Sequence, residues 1–220
     1  MFKEIFKLLG KDSLQKQALR QCFEMVDICR SMVLASVESL RKRDDASVDI
    51  NIYEMDKKLN AFERDVRRKV MTHLSLGHTA DINSGLGLVS VVIDLERIGD
   101  YSKNIYDLAV NHPARLHAGP AEESLQAIEA KALENFSSAV EDFKSGDPNE
   151  ARRLMESYKE DVSARCSELT KQIVRGKVDL PAPEAAVLVL YLRFLKRINA
   201  HSRNLISSLV NPFDRIGYPE

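Results

Sequence analysis

The chain has 220 residues, with 32 Lys and Arg against 33 Asp and Glu, for a formal net charge of -1. That balance excludes non-specific nucleic-acid binding as the main task, because such binding needs a clear basic excess. Hydrophobic residues make up 44% and charged residues 30%, too apolar for disorder; Trp is absent and aromatics are only 6%, so the core has to be mainly aliphatic.

No apolar run approaches the roughly 18 residues that a membrane span needs. The longest, Ala185 to Leu192, is much too short, and the opening Met1 to Gly10 mixes Lys and Glu with apolar residues instead of forming a signal peptide. The expectation is a cytoplasmic protein. Three Cys, an odd number, fit reduced thiols. Cys22 and Cys29 are seven apart on a helical pattern, about 10 Å along one face, too far for a disulfide. Both are expected as small core residues.

All seven prolines punctuate: Pro113 and Pro120 bracket one linker, Pro181 and Pro183 another, Pro148 follows a Ser-Gly-Asp stretch, and Pro212 and Pro219 sit in the tail. Between them the apolar spacing is helical throughout. The first helix carries Ala18, Cys22, Met25, Cys29, Met32 and Ser36 in steps of four and three, and the second carries Met55, Leu59, Phe62 and Val66. The third, from about Asp81 to Val110, carries Val91, Leu95, Ile98, Ser102 and Ile105; its first half is apolar nearly all round, which predicts burial on several sides.

The second half repeats the plan. Leu125, Ile128, Ala132, Phe136 and Phe143 mark a fourth helix, closed by Ser145-Gly146. Asp147-Pro148 opens a fifth as N-cap and first residue, with the stripe Met155, Tyr158, Val162, Cys166, Leu169 and Ile173 and a stop at Gly176. The sixth, from about Pro183 to Val210, aligns Val187, Tyr191, Phe194, Ile198 and Leu205. The expected fold is all-α: six long helices in two antiparallel three-helix bundles, with repeats over 1–112 and 122–210, a linker at 113–121 and a tail at 211–220. A gapless internal match supports the duplication. Glu96 to Ile105 aligns with Lys196 to Leu205, with Arg, Ile, Ser and Asn shared.

The chemistry-bearing residues lie on the second and third helices. Glu96 and Asp100 are four apart, and Asp56, Asn60 and Glu63 are spaced four and three, so each set projects from one face. Folding the two helices about His78 puts Asp56 level with Asp100 and Asn60 level with Glu96. Carboxylates that converge in a bundle repel unless a cation or protons intervene, the logic of helical carboxylate metal proteins. Oxygen ligands favour Mg, Mn, Ca or iron. The competing reading is solvated or ion-paired acids. In the second half Glu96 and Asp100 become Lys196 and Ala200, and a salt bridge between Asp161 and Arg197 is expected where a metal would sit. Arg193, Lys196 and Arg203 share a face that either meets an anion or acidic partner or is simply a solvated stripe. Gly85, Gly87 and Gly99 inside the third helix point to close helix approach or a kink. The five His show no helical i, i+4 pair, and neither a phosphate-binding loop nor a nucleophile elbow is present, so no enzyme is expected.

The stretch Asp94-Leu95-Glu96-Arg97-Ile98-Gly99-Asp100-Tyr101-Ser102-Lys103-Asn104-Ile105 closely resembles the signature of the PhoU family of phosphate-uptake regulators. Glu54, Asp56, Asn60 and Glu63 match that family's acidic spacing, and Asp81-Ile82-Asn83 is similar to its Asp-Leu-Arg entry to the third helix, with Asn for Arg. The resemblance implies two three-helix bundles, a cytoplasmic and often dimeric protein, and association with a phosphate ABC transporter and a sensor histidine kinase. It also implies iron or zinc clusters held by Glu/Asp-x-x-x-Asp motifs. That motif is intact at Glu96 to Asp100, altered at Asp56 to Asn60 and lost in the second half, which leaves one metal site per chain at Asp56, Asn60, Glu63, Glu96 and Asp100. The alternatives are a metal-independent adaptor for another transporter and a helical-bundle metalloenzyme.

Overall fold

Ser13 accepts a hydrogen bond from the Lys16 amide, Asn51 from Glu54 and Asp147 from Asn149, so three helices begin on the polar N-caps that their orphan amides require. The structure, a computed structural model, describes residues 13–158 and 162–218. Among these residues there are seven α-helices and no strand: α1 (Leu14–Lys42), α2 (Ile52–Ser75), α3 (Ile82–Asn111), α4 (Glu122–Ser145), α5 (Pro148–Ser157), α6 (Val162–Val174) and α7 (Ala182–Val210).

The all-helical expectation is met, but the expected single fifth helix is two, α5 and α6. α5 closes where the Tyr158 amide bonds the Leu154 carbonyl and the Tyr158 hydroxyl donates to the carbonyl of Asn135 on α4 at 3.0 Å. The apolar stripe carries on regardless, with Val162, Cys166, Leu169 and Ile173 all buried. Spacing alone therefore could not reveal the interruption. α4 stops at Gly146, whose φ of 65° is the left-handed C-cap that glycine adopts without a Cβ clash.

α1, α2 and α3 pack on one another, α4, α5 and α6 pack on α7, and the two sets meet mainly where α3 lies on α7. α3 is thus covered from three directions, as its apolar first half predicts, with Leu88, Val91, Val92, Leu95, Ile98 and Ile105 inaccessible. Each such side chain contributes roughly 1.5–3 kcal/mol of burial. Cys22 and Cys29 are free thiols in this core; burial pushes the Cys22 thiol up to about 12, which makes it inert.

The internal sequence match has a structural counterpart. Ser102 and Ser202 are both fully buried, and each donates to the carbonyl four residues back, Ile98 and Ile198, at 2.7 Å. The tail also docks. The Asn211 amide group donates to Ser207 Oγ and to the carbonyls of Arg215 and Tyr218, and the Phe213 amide reaches Asn83 on α3. Glu220, at the end of the tail, lies outside the described residues. No described helix is long and apolar enough to cross a membrane.

Candidate functional site

α2 and α3 are antiparallel, as the short turn between them dictates. Tyr53 bonds Asp107, Asp56 bonds Lys103, and Leu59 meets Gly99, so the pairing runs in opposite chain directions. The register differs slightly from a simple fold about His78. Asp56 sits against Lys103 at 2.8 Å, and Asp100 joins through the same ammonium at 3.2 Å. Asp56 and Asp100 are thereby linked through a cation that counting acids alone had missed. Its signal is present in the sequence: Lys103 is three residues beyond Asp100 and so on the same helical edge.

Side-chain exposure is 13% for Asp56, 14% for Glu63, 12% for Glu96 and 27% for Asp100. These acids are therefore not a freely solvated face. Glu63 pairs with Arg67 one turn on at 2.7 Å, and Asp100 also takes Arg97 at 3.1 Å. Asn60 turns its amide along its own helix to the Asp56 carbonyl at 3.0 Å. Glu96 is the least satisfied. Its Oε2 is buried without a hydrogen bond, although the Arg97 Nε lies 3.4 Å away. Burial, then the charge of Asp100, pushes its carboxyl above the ordinary range; Glu63 and Asp56 add to this, and only Arg97 opposes it. At Lys103, burial works against the charge, but the hydrogen bonds to Asp56 and Asp100 outweigh it and hold the ammonium above its usual value.

The packing of Gly99 sets this geometry. A Cβ there would fall 2.2 Å from Leu59 Cδ1, and Leu59 is 1% exposed. Close approach, not a kink, explains this glycine: its missing Cβ makes room for the Leu59 side chain of α2. Gly99→Ala gains about 1 kcal/mol of helix propensity but overpacks by about 1–3 kcal/mol. A net loss of about 1 kcal/mol is expected in urea unfolding, and an unchanged midpoint would contradict the close packing.

The donors fit a cation in kind and charge: four clustered carboxylates, one with a buried orphan oxygen. They are not preassembled as a ligand set. Lys103 stands between Asp56 and Asp100, and no three of these carboxylates bring ligand oxygens within 4.8 Å of one another.

Residues 23–109 match the family model described as the PhoU domain. The matched stretch runs from α1 to the end of α3 and so contains all five candidate ligands. Over 217 residues the chain is 22% identical to a phosphate-specific transport system accessory protein PhoU homolog of Pseudomonas aeruginosa, covering 92% of this chain and 89% of the relative. The crystal structure of PhoU from Pseudomonas aeruginosa superposes with a TM-score of 0.76 at 20% identity, covering 89% of this chain and 95% of that one. The phosphate transport system regulatory protein PhoU from Streptococcus pneumoniae gives 0.68 at 18% identity, covering 89% and 91%. The solved structures share the PhoU fold, and these relatives are named as accessory and regulatory proteins, not as enzymes.

Outside the PhoU match, Arg193 is exposed, Lys196 donates to Ser167 on α6 at 2.8 Å, and Arg203 buries an Nε without a hydrogen-bond partner among the described residues. The three do not form one uniformly open stripe. Asp161, the expected partner of Arg197, lies outside the described residues; Arg197 bonds the Tyr101 hydroxyl and His201 instead. His201 and Asn204 in turn hold Asp94, a buried carboxylate at the junction of α3 and α7. Neither Asp94 nor His201 stands out by spacing, because their contact joins residues 107 apart in the chain.

Proposed function

We propose that this protein is an accessory regulator of phosphate uptake that acts by binding partners, not by catalysis. The observation that carries the reading is the PhoU domain match over α1 to α3, together with relatives named for phosphate transport accessory and regulatory roles. The partners proposed are a phosphate ABC transporter and a phosphate-response sensor histidine kinase, met at the cytoplasmic side by a homodimer. Preferential binding to one conformation of the partner shifts its balance by the difference in affinity between the two states. The division into two three-helix repeats, 1–112 and 122–210, belongs to this reading and is supported by the mutual packing of α1 to α3 and of α4 to α7.

A metal ion is part of the proposal. Asp56, Glu63, Glu96 and Asp100, with Asn60 beside them, are the residues that would hold it, and it would supply the positive charge that the orphaned Glu96 oxygen lacks. Iron or zinc follows from the resemblance, and Mg, Mn or Ca from the all-oxygen donors. A metal-independent adaptor is the second reading, favoured by the Lys103 bridge between Asp56 and Asp100.

Elemental analysis of protein purified without a metal-affinity tag, beside Asp100→Ala, separates the two. The metal reading expects near-stoichiometric metal in the wild type and its loss in the variant. Equal metal content in both would sink it. Co-purification with the phosphate transporter and the kinase then tests the regulatory reading, which fails if neither is retained at physiological salt.

A further inference from the structure

We propose that the turn between α2 and α3 is a separate site for a divalent transition-metal ion, formed by His73, His78 and Asp81. His73 lies in the last turn of α2 and is 6% exposed; its Nε2 is 2.8 Å from Asp81 Oδ2. The exposed His78 stacks its ring on that of His73, with centroids 4.2 Å apart and planes within 4°. One ligand atom from each residue lies within 4.8 Å of the other two, and no other set of His, Cys, Asp and Glu among the described residues meets that condition.

The backbone holds these three side chains near one another. α2 ends with the Leu76 amide on the carbonyls of Thr72 and His73, and Gly77 reverses the chain at a φ of 92°. The Thr79 amide then bonds Gly77, and the Asp81 amide bonds the carbonyl of His78. The ligand spacing, His-x4-His-x2-Asp, is therefore set by a short hydrogen-bonded turn and not by a helical face. That is why a search for i, i+4 histidines passes over it.

Two imidazoles and one carboxylate are the donor set of open three-ligand zinc sites, in which water completes the tetrahedron. Borderline nitrogen ligands select zinc, nickel or copper over magnesium and calcium. A purely structural role accounts for His73 and Asp81, since a histidine paired with a carboxylate suits a helix C-terminus. It leaves the His78 ring without a polar task, because no hydrogen bond among the described residues engages that ring.

Two adjustments accompany binding. The His73 Nε2 proton shared with Asp81 leaves for Nδ1 or for solvent, and the N to O distance opens to about 3.3 Å, as two ligand bonds of about 2.0–2.1 Å at a tetrahedral angle require. Parallel rings cannot both aim an in-plane lone pair at one ion, so the exposed His78 ring turns out of the stack. Side-chain rotations of that kind take picoseconds to nanoseconds in exposed residues. The site is distinct from the carboxylate cluster. Glu96 is 15 residues beyond Asp81 on α3, about 22 Å along the helix axis.

The test is calorimetric titration of chelator-stripped, tag-free full chain with zinc chloride, in a Glu96→Gln/Asp100→Asn background that removes the carboxylate cluster. One zinc ion per chain is expected there, weakened about tenfold or more by His78→Ala and by Asp81→Asn. His78 is exposed, so that variant keeps the fold; far-UV circular dichroism checks it. Cobalt(II) gives a second readout: the visible absorption of tetrahedral cobalt is expected in the background protein and lost in His78→Ala. Zinc binding unchanged by His78→Ala, or no binding at all in the background protein, overturns the proposal. The converse variant, His78→Ala with Glu96 and Asp100 intact, reads the carboxylate site alone, so the two sites fail independently.

Discussion

Arg41→Met is expected to lower stability by about 3 kcal/mol, with unfolding by urea as the measurement. The Arg41 side chain is 6% exposed and is surrounded by acceptors: Glu129 at 2.9 Å, Glu122, and the carbonyl of Leu116. It joins the C-terminal end of α1 to α4 and to the linker that precedes α4. Removing the guanidinium leaves two carboxylates and a carbonyl with no positive partner. The figure is placed at the lower end of the range for breaking a buried pair because Glu122 and Glu129 keep 19% and 16% exposure and regain some water. Glu129 also accepts from the buried Tyr191 hydroxyl at 2.8 Å, so its charge cannot simply swing outward. Burial raises the Glu122 carboxyl, but the Arg41 hydrogen bond and the Ala118 amide outweigh it and bring the value from 4.5 down to about 2. A depressed carboxyl stabilises the fold above its unfolded value and loses that contribution as pH falls. The wild type should therefore weaken between about pH 4.5 and pH 2 through this group, and Arg41→Met should lack that component. A triple variant with Glu122→Gln and Glu129→Gln should recover much of the loss. A cost below 1 kcal/mol for Arg41→Met would mean that the cluster is solvated.

What could be read from the sequence follows from range. Helical periodicity is local, so α3 and α7 were placed within a few residues of their observed ends, α1, α2 and α4 were found by their apolar stripes, and Gly146 and Gly176 were correctly taken as stops. The acidic set on α2 and α3 was also accessible, because it lies between Asp56 and Asp100 on two helices joined by a short turn. Counting only acids hid Lys103, although it sits on the same edge. Contacts such as Arg41 with Glu122 and Glu129, or Asp94 with His201, span 81 to 107 residues, and nothing in the spacing of either helix signals them. The break after Ser157 was invisible for the opposite reason: an apolar stripe keeps its phase whether one helix or two carries it.

The α3–α7 junction supplies the second large effect. Asp94→Ala is expected to cost about 3–4 kcal/mol. Asp94 is 5% exposed, and its Oδ1 accepts from His201 Nδ1 at 2.6 Å and Asn204 Nδ2 at 2.9 Å. Arg197 can only donate, so its contact with His201 Nε2 at 3.2 Å makes that nitrogen the acceptor and leaves the ring proton on Nδ1, facing Asp94. The Arg197 Nε also bonds the Tyr101 hydroxyl at 3.2 Å, and the Tyr101 ring stacks on His201. Deleting the carboxylate thus removes the acceptor for the buried His201 and the half-buried Asn204. Asp94→Asn keeps an acceptor oxygen of the same shape and should cost about 1–2 kcal/mol, the loss of charge assistance. Because the network is buried, added salt should change neither value appreciably, unlike an exposed ion pair. The effect should also be localised. In Asp94→Ala, amide hydrogen exchange should lose protection along the facing stretches of α3 and α7, while the contact of Leu59 with Gly99 between α2 and α3 stays intact. If protection instead fell uniformly, Asp94 would be contributing to global stability without specifically holding α3 against α7, and the polar network would not be what couples the two sets of helices.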